Sequence, residues 1–540
     1  MKTRVLKNGK IFTSDDKQPW AEAVVLEGNK IAYVGTSDGA LKFAESKNPE
    51  IEDLNGKLVT PGIIDGHLHV FAATMFDGLL RLDGMTPEEM LVAIRKDVEA
   101  HPEKNAYTGM GWFDAAFGGE GPRKEDLDKI CPDKPMSYLS ASMHTVWCNS
   151  KALEVAHITR DTPDIDPAGG VVYVRDENGE PTGYCKEIAS MDKIMGAVRY
   201  FDDKARERSM EAFEKHCAMN GITSLVDCGV ISFMKYVLND DLCAKVDRDE
   251  YPVRINFCGF PGVAGLYEMA FNDAVDYSKR YNNDRFFCSF GKLFNDGTVE
   301  TFSSAIPNPY PNGNVIAPIM TVEVLAKKFE EFAKAGIDVN VHAIGTDAIH
   351  NVLEAAGIVR AKGYKDVRIV CSHSSYVYPK DIELFGKNDV FSNTTGCWIA
   401  SMSKEDEELV EKLTEGKAYA VKSIMNSGTK VGFGSDFPTD PTTFPVMPNM
   451  ETLVTRAHVG DKNGVVHDAS ECISVADVIK GYTINNAYQM HREDVLGSIE
   501  VGKYADLTIF NQDLFEIDPH EIHNVTISET IKDGLTTYKA

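Results

Sequence analysis

Paired cysteines are missing from this chain: its 11 cysteines stand singly, with no Cys-x-x-Cys among them. That argues against a disulfide framework and against a thiolate zinc site, and leaves reduced, mostly buried thiols as the expectation. No uninterrupted apolar run approaches the roughly 20 residues of a membrane-spanning helix. The opening "MKTRVLKNGKIF" lacks an apolar segment of signal-peptide length, so a cytoplasmic protein is expected. Basic residues are scarce beside acidic ones, 56 Lys and Arg against 82 Asp and Glu, for a net charge of −26. Such a balance argues against nucleic acid or an anionic membrane as partner and reads as solubility. A small-molecule substrate fits that charge. Dimers are common among enzymes of this size, so a homodimer is compatible with it. Internal repeats and low-complexity segments are also missing.

What is present is a long chain with ample core. Its 540 residues, 43% hydrophobic and 26% charged, are too many for one compact unit of ordinary size. Both ends read as short strands and turns. "RVLKNGKIF" places Asn8-Gly9 between apolar runs, a hairpin signal, and "AEAVVLEGNKIAYVG" repeats it with Gly28-Asn29. "GSIEVGKYADLTIF" and "VTISETIKDGLTTYKA", with Asp533-Gly534, have the same texture. One small composite β-sandwich from residues 1–58 and 497–540 is expected.

The middle, 59–496, alternates buried-strand runs with helical periods. The strand candidates are 62–70, 221–230, 252–260, 286–297, 337–345, 367–373, 389–395 and 429–436, with helix-like stretches at 321–336, 346–363 and 416–428. Strands alternating with helices in this way predict an α/β fold, a (β/α)8 TIM barrel. The gap after the first strand is too long for one connection, so an inserted subdomain at about 75–205 is expected.

Chemistry in such barrels sits at the C-terminal ends of the strands. "TPGIIDGHLHV" ends the first strand with His67 and His69, two residues apart and so on one face. Lys292 lies on the fourth strand, His342 ends the fifth, His373 the sixth and Asp436 the eighth. Each alone has a plain structural explanation: a satisfied core histidine, a turn cap, a surface lysine. Buried ionisable groups need partners, however, and several converging without opposite charges suggest a metal. A nitrogen and oxygen donor set favours Zn(II), with Mn, Fe, Co or Ni as substitutes. Four histidines and an aspartate exceed the needs of one catalytic zinc and suit two ions, provided something bridges them. Lys292, if N6-carboxylated by CO2, would supply a bridging oxygen pair.

With "TPGIIDGHLH", Lys292, His342, His373 and the "GSD" of the eighth strand, the sequence resembles the amidohydrolase superfamily of metal-dependent hydrolases. The finer resemblance is to its YtcJ-like branch, amidohydrolase family 3, which includes N-substituted formamide deformylases. It spans nearly the whole chain, through "GMGWFD" (109–114), "CPDKPMSYLSASMHTVWCNSKAL" (131–153), "GKLFNDGTVE" (291–300), "HAIGTDAI" (342–349) and "GSIEVGKYADLTIF" (497–510). The resemblance implies a barrel with a β-sandwich built from both ends. It implies His67, His69 and Asp436 on the more buried metal, His342 and His373 on the more exposed one, and carboxylated Lys292 between them. The chain departs from the branch at "SMH" (142–144), at Gly345-Thr346-Asp347 and at "SNTT" (392–395), positions expected to face substrate.

The implied reaction is hydrolysis of a carbon–nitrogen bond, amide-type and not peptide, with Asp436 as general base and then acid. By resemblance His144 would stabilise an oxyanion or hold substrate; a structural histidine is the alternative. Trp112 is either a pocket wall or core. Tyr310, in the loop "SSAIPNPYPNGN" (303–314), is a lid contact if that loop covers the active face. Two other readings stand beside this one: a mononuclear deaminase or esterase-type hydrolase on the same fold, in which Lys292 stays an ordinary amine, and a non-catalytic scaffold that retains the ligands.

Overall fold

The computed structural model describes residues 2–70, 80–141, 145–164, 172–198, 203–229, 253–260, 267–299, 302–437 and 445–540. Its centre is an eight-stranded parallel sheet in which neighbours follow chain order. We number the strands β1 (Ile63–Leu68), β2 (Ile222–Asp227), β3 (Arg254–Gly259), β4 (Phe286–Phe294), β5 (Asp338–Ala343), β6 (Ile369–His373), β7 (Val390–Thr394) and β8 (Val431–Phe433). All eight fall within the ranges read from sequence. The sheet curls into a barrel. Just past β8 its edges meet through two backbone hydrogen bonds, Asp436 N–H to His67 O (2.7 Å) and His69 N–H to Phe437 O (2.8 Å).

Local chemistry sets the helices on the outside. In α1 (Val322–Ala335), Thr321 caps the N-terminus by accepting from Val324 N–H, and Gly336, at φ 69°, ends the helix in the left-handed conformation glycine tolerates. Leu325, Ala326, Phe329 and Phe332 recur at helical spacing and are the residues it buries against the barrel. Helix α2 (Thr346–Ala361) follows β5 and buries Ile349, Val352, Leu353 and Ala356 in the same way. The stretch 416–428, expected as one helix, is instead a two-residue strand and a short helix. Lys417–Ala418 pairs antiparallel with Tyr376–Val377, Tyr419 turns at φ 44°, and only Val421–Asn426 is helical, α3. The pairing and the turn consume the residues that the helical pattern had claimed.

The two chain ends share one six-stranded sheet. Leu507–Phe510 lies between Ile527–Lys532 and Leu58–Pro61, and Lys10–Phe12 pairs with the last of these. A four-stranded N-terminal sheet packs against it through Leu6, Val24, Leu26, Val59, Leu507 and Ile531. The hairpins at Gly28-Asn29 and Asp533-Gly534 form. The one expected at Asn8-Gly9 does not. A two-residue type I′ turn needs positive φ at both central positions, and of the two only Asn8 has it (58°). Thr3–Lys7 therefore joins Ala23–Glu27 in one sheet, while Lys10–Phe12 passes to the other.

Arg254, at the foot of β3 and 1% exposed, is held by Asp506 and Asp533 of the two-ended sheet. Burial alone would penalise all three charges; their mutual pairing is what makes the junction tolerable. Between β1 and β2 in the chain a further six-stranded sheet, drawn from segments between Leu80 and Lys186, wraps an aromatic core of Tyr107, Trp112, Tyr138 and Trp147.

Candidate metal centre

The C-terminal ends of β1, β5, β6 and β8 deliver four imidazoles and a carboxylate to one space. His69 Nε2 lies 3.2 Å and His67 Nε2 3.5 Å from Asp436 Oδ1, and His373 Nδ1 lies 3.8 Å from Asp436 Oδ2. The His373 ring sits 4.9 Å from that of His67 and 4.6 Å from that of His342, centroid to centroid. Lys292 Nζ, on β4, is 3.3 Å from His67 Nε2. Among the described residues, His67, His69 and Asp436 form a group whose donor atoms all lie within 4.8 Å of one another, close enough to share one metal ion.

Electrostatics suit that role. Burial, reinforced by the Lys292 charge, holds His67 well below the usual imidazole value; burial, reinforced by His342 and then Lys292, does the same for His373. Neutral imidazole is the ligand form. The ring orientations are set from outside. His69 Nδ1 contacts Gly229 O at 3.2 Å and His342 Nε2 contacts Gly297 O at 3.1 Å. A carbonyl can only accept, so each of these nitrogens carries a proton, and in the neutral ring the other nitrogen is the one with a lone pair to offer a cation. For His69 that is Nε2, the atom facing Asp436. Neutral imidazoles with a carboxylate are a donor set for a borderline divalent cation such as zinc, and the residues present fit one.

Three buried carboxylates that the sequence reading passed over hold the frame. Asp65 Oδ1 accepts from the N–H groups of His67 (3.2 Å) and Ser435 (3.1 Å), and burial pushes it up to about 7. Asp227, likewise raised to about 7 by burial, accepts from Val70 and Gly229 N–H and so shapes the turn that receives His69. Asp296 accepts from Ser304 Oγ and from Ala305, Ile344 and Gly345 N–H, bolting the loop after β4 to the end of β5, with burial pushing it to about 6. Asp65 lies within β1 in "IIDGH", Asp227 ends β2 in "LVDCG" and Asp296 follows β4 in "FNDG". An aspartate inside an otherwise apolar run was the available signal. Backbone strain collects here too, with φ of 74° at His373 and 51° at Asp436, conformations that cost a non-glycine residue and recur at functional sites.

The remaining expectations divide. His69 is the most exposed of the four imidazoles, its side chain at 25%, against 2% for His67, 9% for His342 and 6% for His373. Trp112 is fully buried in the aromatic core of the 80–186 sheet, its indole N–H donating to Tyr138 O at 2.9 Å. The tryptophan set against a candidate ligand is Trp398, half-buried after β7 and stacked on His373 at 5.7 Å and 22°. Tyr310 is buried within its own loop, its hydroxyl on Ser304 O at 2.9 Å. His144 lies outside the described residues. Asn393 of "SNTT", expected to face substrate, gives its amide to Gly66 O and Gln489 Oε1.

Fold and site together define a (β/α)8 barrel with a candidate metal centre at its catalytic face. The chain belongs to the amidohydrolase family, whose model matches residues 50–538. It is 28% identical to the protein YtcJ of Bacillus subtilis, over 98% of each chain. It is 30% identical to the exoenzymes regulatory protein AepA of Pectobacterium carotovorum, over 74% of this chain and 87% of that one. It is 25% identical to the N-substituted formamide deformylase of Arthrobacter pascens, over 100% of this chain and 99% of the other. In fold it matches the crystal structure of an uncharacterized metal-dependent hydrolase from Pyrococcus horikoshii, with a TM-score of 0.75 at 22% identity, over 96% of this chain and 99% of that one.

Proposed function

We propose that this chain is a metal-dependent hydrolase that cleaves the carbon–nitrogen bond of a small amide, not a peptide bond. The observation that carries the reading is the convergence of His67, His69 and Asp436 at the barrel mouth. His67, His69 and Asp436 would hold one ion, His342 and His373 a second, and Lys292, once N6-carboxylated, would offer an oxygen to each; zinc suits both positions. A divalent cation held there would supply Lewis acidity and bring the pKa of a water down to about 7.

The chain's own residues do the rest. Asp436, its carboxylate pinned between His67, His69 and His373, takes the proton of the attacking water and returns it to the departing nitrogen. The same group serves both steps because the nitrogen must leave as a neutral amine. Trp398 gives the space beside His373 a flat apolar wall. N-substituted formamides are the first substrates to test, given the relative of that name. The reading includes a cytoplasmic location and leaves room for a homodimer. Among the described residues, no helix is long and apolar enough to cross a membrane.

A panel of N-formyl amines, N-acyl amines, cyclic amides, aminopurine- and aminopyrimidine-type amines and carboxylic esters, run with zinc-loaded protein, tests it. Turnover of the N-formyl or N-acyl amines is expected. Turnover confined to exocyclic amines or to esters would instead support the deaminase or esterase-type alternative.

A further inference from the structure

The strands that carry His67, His69 and Asp436 are the first and last of the barrel. At its mouth their seam is closed by the backbone bonds Asp436 N–H to His67 O and His69 N–H to Phe437 O, and below these it is held by side-chain amides. On the β2 side, β1 bonds in the ordinary way, with Ile63 N–H donating to Gly221 O. On the β8 side, the carbonyls of Ile64 and Gly66 are taken by side-chain amides. The NH2 group of Asn486 donates one proton to Ile64 O (2.7 Å) and the other to Phe433 O (2.8 Å), so a single buried amide spans β1 and β8. Gln489 Nε2 donates to Gly66 O at 3.0 Å, joined there by Asn393 Nδ2 at 3.3 Å from β7. Asn485 Nδ2 donates to Val431 O at 2.8 Å.

Asn486 and Gln489 open and close one short helix, α4 (Asn486–Gln489), and at three residues apart share its face. A π-turn, Gly481–Asn485, precedes it and aims that face at the seam. The amide orientation follows from its partners: two carbonyls can be met only by the nitrogen. The approach is close on both strands. A Cβ on Gly66 would lie 2.4 Å from Asn486 Oδ1, and one on Gly434 would lie 2.4 Å from His67 N. Gly66 is bonded directly to His67, and Phe433 stands three residues before Asp436. The spacing of the two candidate ligands is therefore set jointly by the backbone bond between residues 436 and 67 and by the amides that hold the strands below it.

We propose that Asn486, assisted by Gln489, is a positioning residue for the metal centre: its amide staples β1 to β8 beneath the backbone bond that joins residues 67 and 436, and so holds the two candidate ligand side chains at their working separation. The inference rests on the proposed metal-dependent reading. Side chains that orient ligands from behind are worth about 10- to 100-fold in metal affinity, which sets the expected scale.

The test is competitive Zn2+ titration of the full chain against a chromophoric chelator. Asn486→Leu keeps much of the volume and removes both donors; Gln489→Met removes one of the two donors to Gly66 O. The control is Leu6→Ala, which lowers stability through the core of the two-ended sheet, away from the seam. We expect Asn486→Leu to raise the Zn2+ dissociation constant by about tenfold or more and Gln489→Met by a smaller factor. Leu6→Ala should bind like wild type even where its melting temperature falls as far. If wild type binds zinc and both seam variants bind no worse than Leu6→Ala, the staple is overturned and the metal centre stands. Where wild type itself takes up no zinc, both readings fall. An Asn486→Leu chain that does not fold leaves Gln489→Met to decide, and wild-type affinity there overturns the proposal.

Discussion

Asp436→Asn lowers kcat by about 100- to 10,000-fold, the range typical of a lost general acid–base group, and does so in a protein that folds and melts as wild type. The substitution is unusually clean at this position. Asp436 sits at φ 51°, and asparagine is among the few residues that adopt this conformation readily. The backbone bond from residue 436 N–H to His67 O, which closes the barrel, does not depend on the side chain. The amide keeps one oxygen, so a bound cation is weakened and not abolished. What is lost is the basic oxygen. Stopped assays on the most active N-formyl or N-acyl amine, with melting curves and metal content alongside, separate these contributions. Wild-type turnover with Asn at 436 would remove that residue from the proton path.

His67→Ala is expected to weaken zinc binding by more than about 100-fold, exceeding the loss given by any residue that acts only from behind a ligand. His67 is 2% exposed, and its Nε2 lies 3.5 Å from Asp436 Oδ1 and 3.3 Å from Lys292 Nζ. Alanine removes a ligand and, in the same step, leaves a cavity where a fully buried ring stood against Lys292, Asp436 and His373. An unfilled cavity in a packed site is destabilising, so the melting temperature should fall as well. Restoring zinc should recover neither activity nor stability. His69→Ala, in a more open position, should lose metal with a smaller loss of stability. The pair thus distinguishes coordination from packing.

Much of this architecture is legible before any coordinates. The eight barrel strands announce themselves as apolar runs between helical periods, and His67, His69, His342, His373 and Asp436 interrupt those runs near their C-terminal ends. That works because strand ends in a parallel barrel share one face, so position along each run converts to position in space. It fails where local signals compete with tertiary ones. Asn8-Gly9 looks like a hairpin turn, yet its two strands belong to different sheets. The helical pattern of 416–428 gives way to pairing with Tyr376–Val377, a partner about 40 residues upstream. Trp398 and Asn486 were not legible at all. Stacking on His373 and a staple between the first and eighth strands depend on register across the closed barrel, which no single segment encodes. Asp227 and Asp296 could have been found, since an aspartate at the end of a buried strand must be paid for by hydrogen bonds or by function.

The central claim is that the imidazole and carboxylate cluster at the barrel mouth holds a divalent metal on which hydrolysis depends. The most direct measurement is metal content per chain, by elemental analysis, followed through chelation and reconstitution with amide hydrolysis assayed at each stage. One to two divalent ions per chain are expected, with loss of turnover in step with their removal and recovery when zinc is returned. A protein that hydrolyses amides at full rate after its metal has been stripped would contradict it.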